Sequence, residues 1–181
     1  MRGRVMRLLL HVCCAPDVTV ALERLPETER FCLYFDNPNI HPAEEYARRL
    51  AAFYQVICNS GVDCVVGGYD PEFWHEHVKD HEEDEEGGER CSECIAYRLE
   101  RTAKKAKLRE FDTIGCVFST SPHKNAELIN RIGKEIAQKH SLDFLESNFK
   151  KKEGFKRSVE ISRQLGIYRQ NYCGCIHSSK Q

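Results

Sequence analysis

Short apolar runs alternate along the chain with stretches in which apolar residues recur every three or four positions. Leu8, Leu9, Leu10 and Val12 form the first run, Cys13 and Cys14 follow, and Pro16 stands where the first turn of a helix tolerates it. The pattern predicts a strand over Arg7 to Val12, a tight turn, and a helix through about Leu25. Phe31 to Phe35 repeats the strand pattern, Asn37-Pro38-Asn39 reads as a loop, and Pro42 opens a helix with Tyr46, Leu50 and Phe53 on one face. Cys64 to Tyr69 predicts a third strand, followed by a short helix around Trp74, an acidic glycine-bearing loop expected to be mobile, and a long helix from about Cys91 to Phe111. Thr113 to Ser119 predicts a fourth strand, Asn125 to His140 a helix, and Asp143 to Phe149 a last strand. Such alternation implies a single-domain α/β fold over residues 1–181, a parallel sheet with helices on both faces. Ligands of such sheets bind beyond the carboxyl ends of the strands. The first cysteine pair, the Asn37–Asn39 loop and the Ser119–Pro122 turn are therefore expected on one rim.

Composition sharpens this picture through cysteine. The 181 residues are 41% hydrophobic and 30% charged, enough for a core without disulfide staples, yet ten are cysteine. Arg2, Arg4 and Arg7 around an apolar run ending in cysteine imitate an export signal, but His11 interrupts the run and bulky Val12 precedes Cys13. No stretch is long enough to span a bilayer. The expected setting is the reducing cytoplasm, with no membrane partner, where clustered cysteines bind metal or act in redox chemistry.

Six of the ten cysteines fall in three close pairs, Cys13-Cys14, Cys91-x-x-Cys94 and Cys173-x-Cys175, each beside an expected element end. Folding would assemble one metal site from residues 11–17, 91–94 and 173–175. A [4Fe-4S] cluster takes four thiolates, leaving two cysteines and Asp17 for an additional iron ion. Adjacent residues at a strand end point to opposite sides, so Cys13 and Cys14 would divide between two metals. That reasoning assigns Cys14, Cys91, Cys94 and Cys173 to the cluster and Cys13, Asp17 and Cys175 to the iron, with exchange open within each close pair. A carboxylate is a harder ligand than a thiolate and suits an iron that also binds substrate oxygen; otherwise Asp17 reads as an acid favoured by a helix N-terminus. A structural zinc needs only four cysteines. Cys32, Cys58, Cys64 and Cys116 lie in apolar surroundings and read as buried core residues. His11 reads as a group beside the metals or a proton donor, and otherwise as a satisfied core histidine.

Charge is unevenly spread. Seven acids and no Lys or Arg lie between Asp80 and Glu89, whereas Lys150 to Gln181 carries eight Lys and Arg against Glu153 and Glu160. The basic segment fits a phosphate backbone or a solvated helix face.

His11-Val-Cys-Cys-Ala-Pro16, Asn37-Pro-Asn-Ile-His-Pro42, Glu89-Arg-Cys-Ser-Glu-Cys94 with Tyr97, Arg98 and Leu99, Phe118-Ser-Thr-Ser-Pro-His-Lys124 and Tyr168-Arg-Gln-Asn-Tyr-Cys-Gly-Cys175 stand in that order. Together they resemble the cobalamin-independent epoxyqueuosine reductases, the QueH family, over nearly the whole chain. The resemblance implies an adenine-nucleotide α-hydrolase-like (HUP, Rossmann-like) sheet. It also implies an oxidoreductase that reduces epoxyqueuosine to queuosine at the wobble position of tRNA, the last step of queuosine synthesis, with electrons from an external donor. Under it, His11, Tyr168 and Asp17 are the candidates for catalysis, with water an alternative proton source. Asn37, Asn39, Ser119, Ser121 and Arg169 are candidates for holding the modified base and ribose, and Lys150 to Arg157 for the anticodon-stem phosphates. Two rivals are an ATP-using tRNA-modifying enzyme of the same fold and a zinc-stabilised RNA-binding module. The first lacks its glycine-rich pyrophosphate loop, because Cys-Cys-Ala-Pro-Asp17 occupies that place.

Overall fold

Leu8, Leu10 and Val12 point to one side of the first strand and Leu9 and His11 to the other, and all five are fully buried. A strand buried on both faces must lie inside a sheet covered on both sides. In the computed structural model, which describes residues 6–178, β1 (Arg7–Val12) is the central strand of five. Its neighbours β2 (Arg30–Phe35) and β4 (Thr113–Cys116) both run parallel to it, with Leu9 opposite Cys32 on one side and Ile114 on the other. β3 (Cys64–Val66) and β5 (Asp143–Phe144) complete an all-parallel sheet of order β3-β2-β1-β4-β5. The expected α/β fold, a parallel sheet with helices on both faces, is the observed one. Arg2, Arg4 and Lys180 lie outside the described residues. Among those described, no helix is long and apolar enough to cross a membrane.

One face of the sheet packs under α1 (Ala15–Arg24) and α2 (Ala43–Ser60), whose Val18, Phe53 and Val56 meet Leu10 and Phe35. Gly61 ends α2 in the left-handed region at φ 65, where its amide bonds the Ile57 carbonyl. α3 (Pro71–Val78) is the short Trp74 helix. α4 (Glu89–Leu108) and α5 (Ala126–Lys139) cover the other face, with Leu99, Ala103, Ile129 and Ile136 against Leu9 and Tyr34. Asn125 caps α5 by accepting from the amides of Glu127 and Leu128.

Four elements differ from expectation. β4 stops at Cys116, and Phe118–Thr120 form a single 3₁₀ turn instead of continuing the strand to Ser119. β3 stops at Val66, before Gly67 and Gly68. β5 stops at Phe144: the Leu145 amide still bonds the Ile114 carbonyl at 2.8 Å, but farther on Ser147 donates to Asn130 Oδ1 and Phe149 to Ser119 Oγ instead of to a strand. The basic segment contains a helix that apolar periodicity did not show, α6 (Gly154–Gln164). Its buried face is Gly154, Ser158 and Ser162, so it packs against α1 through small residues rather than an apolar stripe. The serine hydroxyls donate back into the helix, to the Phe155 and Ser158 carbonyls. Arg24 pins the preceding turn by donating to the carbonyls of Phe149, Lys151 and Lys152.

The acidic loop is also tethered. Buried Arg90 donates to the carbonyls of His81, Glu82 and Asp84, and the Asp84 carboxylate accepts from the Arg90 amide.

A Cβ on Gly154 would lie 1.6 Å from the Phe149 carbonyl oxygen. Gly154→Ala is expected to lower stability by about 1–3 kcal/mol, seen as a lower urea midpoint. An unchanged midpoint would mean that α6 does not dock as described.

Candidate metal centre

In a doubly wound sheet the crevice opens where consecutive connections leave in opposite directions, here between β1 and β4. Cys13 leaves the end of β1 at that point and packs against both hydrophobic cores. Cys14 is the N-cap of α1 with an extended backbone, and Asp17 follows in the first helical turn. The strand has already ended, so the alternation expected to separate the two cysteines does not apply. Their sulfurs are 4.0 Å apart, Cys13 Sγ is 3.6 Å from Asp17 Oδ2, and one ligand atom from each of the three residues lies within 4.8 Å of the others.

Such a trio has the compactness of ligands to a single ion. Cys14 is 2% exposed and Asp17 8%. The hydrogen bond with Cys13, then burial, raises the Cys14 thiol well above its ordinary value. Burial pushes Asp17 up to about 6. The Cys14 thiol therefore holds its proton in the bare chain and would give it up to a cation, and two sulfurs with a carboxylate suit a divalent transition metal.

The other cysteines approach from α4 and the C-terminal loop. Cys94 and Cys175 are buried together with Trp74 and Val78. Burial raises the Cys94 thiol and pushes Cys175 up to about 11. Cys91 lies in the first turn of α4, where its sulfur accepts from the Gly87 amide at 3.2 Å. Cys173 is the exception: Lys124 Nζ stands 3.7 Å from its sulfur, and that ammonium pulls the thiol below its ordinary value.

Arg49 sets the course of the C-terminal loop. It is 2% exposed, pairs with Glu45 at 2.7 Å, and donates to the carbonyls of Cys173 at 2.9 Å and Tyr172 at 3.1 Å. Between the two cysteines Gly174 adopts φ 106, and a Cβ there would lie 2.8 Å from Arg49. The His41 amide donates to the Gly174 carbonyl at 2.7 Å.

The remaining candidates differ in what they have free. His11 is fully buried, and its Nε2 donates to the Asp36 carbonyl at 2.8 Å, leaving Nδ1 as an unpartnered lone pair. Burial, then the charge of Arg98, lowers its pKa to about 3, so the ring is neutral and its one proton is already committed. The Tyr168 hydroxyl is likewise committed to both carboxylate oxygens of Glu45. Asn37 bridges the Val12 carbonyl and Arg98, and Ser119 bonds Ser147 and the Phe149 amide. Asn39 is buried with Oδ1 unpartnered, and Ser121 is half-buried. Arg169 bonds Ser162 Oγ at 3.4 Å, and its charge also acts on Asp17. The expected common rim is present: Asn37 reaches the end of β1, and Thr120 Oγ1 donates to the Asp17 carbonyl.

Cys32 and Cys116 are buried core residues as expected, whereas Cys64 is half-buried and Cys58 is exposed near the end of α2. Much of the basic segment is internally paired. Arg157 pairs with Glu23 and Glu160, Lys156 with Glu153, and Lys150 Nζ donates to the Lys124 carbonyl. Lys151 and Lys152 are exposed.

Arg98 and Lys124 were read only as members of motifs, and Arg49 and Glu45 were not singled out. Arg98 had a legible signal, since Cys91, Cys94 and Arg98 are spaced to share one face of a helix. Lys124 follows a strand-end turn, and nothing local marks its reach to Cys173. Arg49 and Glu45 have the i,i+4 spacing common on helix surfaces, which carries no sign that the pair is buried.

A family model described as "Epoxyqueuosine reductase QueH" matches residues 8–181. The chain is similar to proteins named "Epoxyqueuosine reductase QueH" from three bacteria. With that of Streptococcus pyogenes serotype M1 it is 40% identical over 179 residues, 96% of this chain and 70% of the relative. With that of Thermotoga maritima it is 40% identical over 174 residues, 94% of this chain and 89% of the relative. With that of Staphylococcus aureus it is 38% identical over 183 residues, 97% and 76% respectively.

The depressed pKa of His11 carries a pH signature. The unfolded chain binds a proton on this ring below about 6.5, and the folded chain refuses it until about 3. Stability therefore falls as pH drops through that window, by roughly 2–3 kcal/mol between about pH 7 and about pH 4.5. His11→Asn is expected to remove that part of the loss in urea unfolding at the two pH values. The same loss in parent and variant would contradict a buried neutral ring.

Proposed function

The chain belongs to the epoxyqueuosine reductase family QueH, and from that premise we propose that its metal centre reduces epoxyqueuosine to queuosine at the wobble position of tRNA. The observation that carries this reading is the compact Cys13, Cys14 and Asp17 trio at the strand-end crevice, facing a second set of thiols across Arg98. In net terms, two C–O bonds of the epoxide break, a C=C bond forms, and the oxygen leaves as water. The change consumes two electrons from an external donor and two protons.

The trio's spacing favours a division different from the one strand alternation implied. Cys13, Cys14 and Asp17 would hold the additional iron, and Cys91, Cys94, Cys173 and Cys175 the [4Fe-4S] cluster. When bound, the cluster supplies single electrons and the iron supplies Lewis acidity.

The chain's own residues bind and orient. Cys14 and Asp17 lie deep in the crevice, while half-exposed Cys13 leaves that side open to substrate. Asn39, with an unpartnered buried oxygen, Ser121 and Arg169 are assigned to the modified nucleoside. Asn37 and Ser119, whose side chains are already bonded, hold the rim in shape. Because His11 and Tyr168 have committed their protons, water reaching the open side is assigned as the proton source. Exposed Lys151 and Lys152 are the members of the basic segment best placed to meet tRNA phosphates. One domain of residues 1–181, acting in the cytoplasm, contains the whole arrangement.

Asp17→Ala is expected to keep a cluster that reduces and reoxidises, yet to lose about one iron per chain and its deoxygenation activity, because Lewis-acid assistance contributes several kcal/mol. The readouts are iron content and the mass of the nucleoside released from treated tRNA. Unaltered iron and turnover would reduce Asp17 to a helix-terminal acid.

A further inference from the structure

Arg98 projects from α4 one turn beyond Cys94 and is 3% exposed. Its side chain finds only neutral partners: the Cys94 carbonyl at 3.3 Å, Asn37 Oδ1 at 3.4 Å, and the face of Phe118 at 4.3 Å. Among the described residues it makes no ion pair with a carboxylate. Arg49 and Arg101 contrast with it, the first paired with Glu45 and the second with Asp36 and Asp70. A guanidinium is always charged, and burying one without a counter-ion is costly.

After burial, the strongest influences on Arg98 are thiols: Cys94, Cys173, Cys13 and Cys116. Burial pushes Cys116 up to about 12, so it remains a neutral core thiol. The other three belong to the metal centre, one in the compact trio and two in the opposite set. Lys124 faces the same three, with Nζ 3.7 Å from Cys173 Sγ and its pKa raised by that sulfur. Two cations from different helical and loop elements thus converge on the boundary between the two ligand groups. A tRNA phosphate cannot reach the Arg98 guanidinium, which is buried beneath the rim.

We infer that Arg98 and Lys124 are the fixed counter-charges of the metal centre and raise its reduction potential. The inference rests on the reading of the centre as a redox cluster held by thiolates. A thiolate-ligated cluster is anionic and gains further negative charge when it takes up an electron. A fixed positive charge in a low-dielectric setting stabilises the reduced form more than the oxidised one. The cations would therefore let the centre accept electrons from a weaker donor. Both act through the cluster and not on the substrate, so they are positioning residues.

The test is a redox titration of the anaerobically purified protein followed by electron paramagnetic resonance, with iron and sulfide counted in every sample. Lys124→Gln is expected to shift the midpoint to a more negative value with iron and sulfide per chain unchanged, and Lys124→Arg to return it towards the parent. Arg98→Met should shift it in the same direction, and Arg98→Lys should shift it less. Where Arg98→Met does not fold, the half-buried Lys124 pair decides. A Lys124→Gln protein with full iron and sulfide and the parental midpoint overturns the inference. A parent chain that binds no iron and sulfide overturns the functional reading instead, and the metal count separates the two failures.

Discussion

The structure depends on the reversal of strand order at β1. β2 and β3 extend the sheet on one side of this strand, and the chain then crosses back to add β4 and β5 on the other, which opens a crevice at its carboxyl end. A strand buried on both faces makes that end a fixed point. Three hydrogen bonds extend the order past it: Asn37 to the Val12 carbonyl, His11 to the Asp36 carbonyl, and the Val117 amide to the His11 carbonyl. Cys13, Cys14 and Asp17 follow directly on this anchored strand end, a setting that suits a preorganised metal site. Family relatives carry the name of a reductase, and this crevice is where the fold can house the chemistry.

The polar interior around the crevice is expensive for a chain of this size. A buried carboxyl raised to about 6, a histidine lowered to about 3 and an arginine without a carboxylate partner each oppose folding of the bare chain. A bound cation would relieve the thiols and Asp17, and the anionic centre it forms would relieve Arg98. Metal binding and folding are then coupled. The structural networks are placed to bear the remaining load: Arg49 with Glu45 fixes the Cys173–Cys175 loop, and Arg101 with Asp36 fixes the end of β2.

Much of this was legible in the sequence, and the gaps have physical reasons. Leu8–Val12 and Phe31–Phe35 announced buried parallel strands because apolar runs without alternation have few other uses. The three cysteine pairs pointed to a metal site because their number exceeds what one structural ion takes, and the structure brings Cys13 and Cys14 together with Asp17 in a group that could hold an ion. α6 was hidden because its buried face uses Gly154, Ser158 and Ser162. The early end of β5 was hidden because Asn130 and Ser119, distant in sequence, take the amides of Ser147 and Phe149 beyond it. The relation of Cys13 to Cys14 depended on one backbone angle at the strand-to-helix turn, which no periodicity records. Long-range partnerships such as Lys124 with Cys173 exist only once the rim has assembled.

The central claim is that this crevice holds a cluster and a separate iron together. Iron, zinc and sulfide analysis with Mössbauer spectroscopy on the anaerobically purified chain tests it most directly. The account predicts about five irons to four sulfides per chain, with one iron spectroscopically distinct from the cluster. A colourless chain carrying one zinc and no sulfide would contradict it.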